Sequence, residues 1–140
     1  MLGALAEAED IVQYGFLRWT ATDRDSVEHP RAFLARAEPW LLTREIEHGV
    51  VLQSARQARA DDSRYERPMY WATLEDSGVL VGCAYRTPPF KVGLTVLPDA
   101  AIAPLVADLA ATYSGPIGGF SGPEPTVSAL ATAWVERRGG

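Results

Sequence analysis

The residues with the chemistry to form a site are few. His29 and His48 are accompanied by Glu28, Glu45 and Glu47. Glu45 and His48, three apart, can share a helix face, yet two ligands do not close a zinc sphere, so the pair is expected to be an exposed helical pair and no metal site. Cys83, the sole cysteine, lies between apolar neighbours with no histidine beside it to lower its pKa, and reads as a buried, inert thiol. A single cysteine also excludes an intramolecular disulfide and a thiolate-rich zinc site. Gly119-Phe120-Ser121-Gly122 is one residue short of the nucleophile elbow of serine hydrolases. The surrounding stretch from Gly115 to Gly122 contains Pro116 and precedes Pro123, which fits a turn better than a phosphate cradle. Arg56, Arg59, Arg64 and Arg67 could meet an anion, but Asp61, Asp62 and Glu66 lie among them and favour a solvated, partly neutralised face. Tyr70, Trp71 and Tyr85 are placed to pack across neighbouring strands.

Elements that position these residues come from a chain of one-domain length. It has 140 residues, 47% hydrophobic and 22% charged, which is ordinary globular composition. The net charge is -5, and twelve of the thirteen basic residues are arginine, without a long basic run. Phosphate backbones are held by clustered positive charge, so nucleic acid is not an expected partner. Residues Met1 to Ala8 lack the basic start and sustained apolar run of a signal peptide, and no stretch is long enough to cross a bilayer, so a cytoplasmic location and no membrane are expected.

Residues 2–12 read as a short helix and 14–19 as a weak strand, so 1–30 form an N-terminal extension or first strand. Phe33, Ala37, Trp40 and Leu41 mark a helix expected to break near Pro39. Thr43 can cap a second helix with Ile46, Val50 and Ala55 inward. Met69 to Leu74 and Val79 to Tyr85 flank the turn sequence Glu75-Asp76-Ser77-Gly78 and predict a hairpin. Lys91 to Leu97 alternates, with Val92, Leu94 and Val96 on one face. Pro98-Asp99 opens a helix whose Ile102, Leu105, Val106, Leu109 and Tyr113 share a side. A short apolar piece, Gly115 to Phe120, precedes a last helix from about Pro123 carrying Val127, Leu130, Ala131 and Trp134, with Arg137 and Arg138 suited to its C-terminal dipole. The order gives an α+β fold with a mostly antiparallel central sheet flanked by helices, and residues 31–140 form one domain.

That order, with the wording of Phe33 to Leu42, Val81 to Pro89 and Gly115 to Gly139, resembles the GNAT superfamily of acetyl-CoA-dependent N-acetyltransferases. More narrowly it looks like the N-terminal half of a two-domain bacterial subgroup. The resemblance implies a GNAT-like (acyl-CoA N-acyltransferase) fold, in which the coenzyme pyrophosphate sits on free backbone amides where a central strand gives way to a helix. The family pattern there is glutamine or arginine, two residues, glycine, one residue, then glycine or alanine. Here the matching loop is Leu97, Pro98, Asp99, Ala100 and Ala101, continuing to Pro104, and it has no glycine. Pro98 and Pro104 lack N–H donors, and the Asp99 carboxylate competes for the positive helix end. This loop is therefore expected not to function in cofactor binding, and no cofactor is expected for this chain alone. Tyr113 is the nearest match to the family's tyrosine acid, although its place on an apolar stripe favours core packing. The catalytic residues are otherwise unassigned. The resulting expectation is a diverged, accessory GNAT-like domain that serves structure, docking or substrate access and is not catalytic alone. Its partner would be a second GNAT domain or a second copy of itself. The alternatives are an active N-acetyltransferase that uses acetyl-CoA on a small amine through an atypical loop, and a self-associating interaction module.

Overall fold

The computed structural model describes residues 30–61, 63, 65, 66 and 68–138. The expected helix over 2–12 and strand over 14–19 lie outside the described residues. Helices α1 (Pro30–Leu42) and α2 (Glu45–Ala60) come first, followed by strands β1 (Tyr70–Asp76), β2 (Val79–Arg86) and β3 (Val92–Leu94). A 3₁₀ turn (Asp99–Ala101) then leads into α3 (Ile102–Thr112), β4 (Phe120–Ser121) and α4 (Glu124–Arg138).

The architecture is α+β: a four-stranded mixed sheet, order β1-β2-β3-β4, flanked by helices. β1 with β2 and β2 with β3 are antiparallel, whereas β3 with β4 is parallel, the connection between them running through α3. The hairpin forms where the turn residues place it. Ser77 and Gly78 both have positive φ, 54° and 83°, the pairing that matches strand twist in a two-residue loop. Successive side chains point to opposite sheet faces and so feed two cores. Tyr70, Ala72, Leu74, Ala84, Val92 and Leu94 pack with α3 and α4, while Trp71 and Cys83 pack with α1 and α2.

Several expectations are corrected. Helix α1 does not break at Pro39 but runs to Leu42. Pro39 and Ala35 are both exposed, so the missing amide and the carbonyl it frees face water, while Phe33, Leu34, Ala37 and Leu41 keep the helix anchored on either side. Thr43 does not cap α2; its hydroxyl bonds back to the Trp40 carbonyl at 2.6 Å and closes α1, and Arg44 stands at the N-cap without a side-chain capping bond. Ala55 is buried as expected, but Ile46 and Val50 point outward, 100% and 68% exposed, and α2 buries His48, Val51, Leu52 and Ala58 beside Ala55. The small Ala37, Ala55 and Ala58 let the two helix backbones approach, and that contact sets the rotation of α2.

On β3, Val92 and Leu94 face the core as their alternation predicts, but Val96 is 59% exposed and Leu97 is buried. The phase changes at Thr95, whose Oγ1 takes the Cys83 N–H at 2.9 Å in place of a backbone carbonyl. Gly82 provides the space: a Cβ there would lie 2.2 Å from Leu97 Cδ2. Arg138 does not serve its own helix end; it stacks on Trp134 and its Nη2 donates to the Ser114 and Gly115 carbonyls, each at 3.0 Å, just beyond α3.

Candidate functional site

The strand-to-helix junction after β3 is the place where a nucleotide diphosphate would need bare amides. Leu97 N–H donates to Thr126 Oγ1 on α4 at 3.2 Å. Pro98 has none. Ala101 N–H is bonded to the Pro98 carbonyl at 2.9 Å, and Ile102 N–H to the Asp99 carbonyl. Three of the junction's amides are thus used internally, and Asp99 stands exposed in the first turn, where its carboxylate opposes an anion at the remaining Asp99 and Ala100 N–H groups. The sequence exposed the prolines and the charge; the bond at Leu97 depends on tertiary placement of Thr126, and those at Ala101 and Ile102 on the local 3₁₀ turn.

Tyr113 caps α3 and is buried. Its hydroxyl donates to the Pro68 carbonyl, the Arg86 guanidinium lies 4.5 Å from its ring centroid, and Tyr70 packs at 6.5 Å. These contacts tie the end of α3 to the start of β1, a packing role. Tyr70 itself donates to Asp108 Oδ2 at 2.5 Å. Trp71 and Tyr85 stack across β1 and β2, with centroids 5.3 Å apart and 10° between planes. Tyr85 also covers Gly93, where a Cβ would come within 2.1 Å of its ring.

Cys83 is fully buried, and loss of solvent pushes its thiol pKa far up. No group of three or more histidine, cysteine, aspartate or glutamate side chains able to hold a metal ion occurs among the described residues. Arg56 is paired with Glu38 on α1 by two guanidinium contacts, at 2.7 and 3.0 Å, and not with the acidic loop. Arg59 is exposed near it. Arg36 reaches Glu75 and the Gly78 carbonyl, and its hydrogen bond to Glu75 raises its pKa. His29, Arg64 and Arg67 lie outside the described residues. Ser121 is exposed on β4.

His48 corrects the exposed-pair expectation: Glu45 is exposed, but His48 is only 7% exposed. Its ring stacks on Trp40, with centroids 4.8 Å apart, and Nδ1 lies 2.9 Å from the Leu41 carbonyl oxygen. A carbonyl only accepts, so Nδ1 carries a proton and donates to it. Nε2 has no hydrogen-bond partner among the described residues.

The ring lines a cleft of about 400 Å³ between the α1–α2 corner and the end of β3. Trp40, Arg44 and Glu47 join His48 on one wall; Leu94, Val96 and Pro123 stand opposite. The cleft opens because the parallel β3–β4 pairing ends. Val92 and Gly93 pair with Phe120 and Ser121, and the next donor on β4 would be Pro123, which has no N–H. The Pro123 carbonyl is taken by Val127 N–H at 2.9 Å as α4 begins. Thr95 N–H bonds the Cys83 carbonyl on β2 at 3.0 Å, and the Val96 N–H that follows has no acceptor among the described residues. Sequence reasoning missed this site. Its signal was Pro123 directly after a short strand, taken there as part of a turn. No family model, curated protein or solved structure matches this chain, so the reading of both places rests on their own geometry.

Proposed function

We propose that this chain is a diverged GNAT-like domain acting as an accessory half of an acetyltransferase-family protein, in docking or substrate access, and not catalysing acetyl transfer alone. The observation that carries this reading is the junction after β3. Leu97, Ala101 and Ile102 spend their amides inside the protein, Pro98 has none, and Asp99 adds a negative charge. A diphosphate placed there would meet repulsion from the Asp99 carboxylate, with only the Asp99 and Ala100 N–H groups outside these internal bonds. The strand order supports the topological part of the proposal: an antiparallel hairpin and third strand lead into a strand–helix–strand crossover whose two parallel strands separate beyond Gly93 and Ser121. Isothermal titration calorimetry with acetyl-CoA tests it. The expected result is no heat of binding at micromolar ligand, and micromolar affinity would overturn the reading.

A second observation favours association with a partner domain. Ile46 and Val50, one helical turn apart on α2, are exposed, and Leu42 is 42% exposed at the end of α1. A second GNAT-like domain is the partner proposed for this face. In its absence, two copies of the chain are expected to share the surface, and light scattering that shows only monomer at high concentration would remove that expectation.

A further inference from the structure

We propose that Arg86, at the end of β2, is the centre of a binding site for a carboxylate attached to an apolar group. The residue is only 7% exposed, yet among the described residues its guanidinium has no acidic partner. Asp108 on α3 accepts from Tyr70 and makes no ion pair with Arg86, and Glu66, whose N–H bonds the Pro88 carbonyl, is exposed and makes none either. A buried cation is costly unless a counter-charge meets it, and the nearby C-terminal end of α3, capped by Tyr113, supplies only about half an elementary charge. Two contacts fix the group. Its Nε donates to the Phe90 carbonyl at 2.9 Å, and its central carbon lies 4.5 Å from the Tyr113 ring centroid. Nη1 and Nη2 have no acceptor among the described residues, and both reach solvent, because Trp71 Nε1 is the one fully enclosed side-chain polar atom there without a partner. Arg86 therefore presents at the surface the end-on fork of two N–H donors, already oriented.

The surrounding backbone selects the anion. Pro88 and Pro89 have no N–H, Phe90 N–H is bonded to the Thr87 carbonyl at 3.0 Å, and Val92 N–H to the Gly119 carbonyl at 3.1 Å. The Tyr113 hydroxyl donates to Pro68, and Arg138 directs Nη2 to the Tyr113, Ser114 and Gly115 carbonyls. One guanidinium edge without supporting amides matches the two oxygens of a carboxylate, whereas a phosphate dianion calls for more donors than the place offers. Phe90, whose carbonyl holds Nε, is 65% exposed and gives the apolar part of the ligand a ring to pack on. Lys91 next to it is exposed, has no ion pair among the described residues, and adds attraction at the rim. A free acid and an acidic side chain of a partner protein present the same chemistry. The place lies before β3, at the end where β3 and β4 are still paired, so it is separate from the strand–helix junction and goes beyond the accessory reading.

The test is a titration of the ¹⁵N-labelled chain, followed through the Arg86 side-chain Nε–H and the Phe90 and Lys91 amide cross-peaks. The probes are phenylacetate and a blocked aspartyl-phenylalanine dipeptide; the controls are phenylacetamide, the asparaginyl form of the dipeptide, and inorganic phosphate. The expected result is saturating movement of these peaks at about millimolar concentrations of at least one acid, and none with the neutral amides or phosphate. Tighter binding of phenylacetate identifies a small-molecule source, and tighter binding of the dipeptide a partner's side chain. Arg86→Lys keeps the charge but loses the fork and should weaken binding roughly tenfold. Phe90→Ala, at an exposed position that leaves the fold intact, should weaken it roughly two- to tenfold and serves if the first variant does not fold. Equal movement with the neutral amides, tighter binding of phosphate, no movement with either acid, or an unchanged response in either folded variant overturns the inference.

Discussion

Cys83 illustrates how a residue's surroundings decide its chemistry. Buried among apolar side chains, its thiol resists ionisation, so the folded protein should react negligibly with iodoacetamide at mildly alkaline pH and react fully once denatured. The same shift has a stability consequence. The unfolded thiol ionises above about pH 8.5 while the folded one stays protonated, so this contribution is complete below that pH and declines above it, by at most about 1.4 kcal/mol per pH unit. Urea titrations from pH 7 to 10 check the slope. Tyr113→Phe should cost about 1 kcal/mol by removing the bond to Pro68, measured by urea denaturation. Asp99→Asn should not create coenzyme binding, because neutralising the charge leaves Leu97, Ala101 and Ile102 bonded as before; a thermal shift with acetyl-CoA at about a millimolar should stay flat. At this scale the sequence was partly readable. The inert thiol and the Trp71–Tyr85 pair follow from neighbours and strand alternation, whereas the burial of His48 depends on how α2 rotates against α1.

Elements with strong periodicity or turn chemistry were legible: the hairpin, α3 with its buried Leu105, Val106 and Leu109, and the start of α4 after Pro123. What failed were features set by packing across the chain. Pro39 was tolerated because its defect faces water, and the inward side of α2 was chosen by alanines that touch α1. The same logic makes predictions about glycines. Gly49 lies inside α2 with nothing within 4 Å of an added Cβ, so Gly49→Ala should stabilise the protein by about 0.5–1 kcal/mol. Gly122 is different: its φ is 150°, and a Cβ would lie 2.6 Å from the Leu94 carbonyl oxygen. Gly122→Ala should therefore destabilise by about 1–3 kcal/mol, with its effect centred on the β3–β4 junction. Thermal melts of the two variants should move in opposite directions.

At the scale of the whole molecule, the order of helices and strands predicted an α+β fold, and the structure has it: a mixed sheet with one helical pair on each face. No described helix is long and apolar enough to cross a membrane. The two candidate places are both consequences of a single event, the separation of β3 from β4. Beyond it, the chain leaving β3 first carries Val96 N–H, without an acceptor among the described residues, and then turns tightly through Leu97–Ile102, where the Leu97, Ala101 and Ile102 amides are bonded internally. The sequence revealed the turn through its missing glycines and extra prolines. It hid the cleft, because an unused donor is visible only when both strands are placed. Calorimetric titration of the intact chain with acetyl-CoA tests the central claim most directly. The account predicts a flat thermogram at micromolar ligand, and a saturating isotherm in that range, lost on adding excess free ADP, would contradict it.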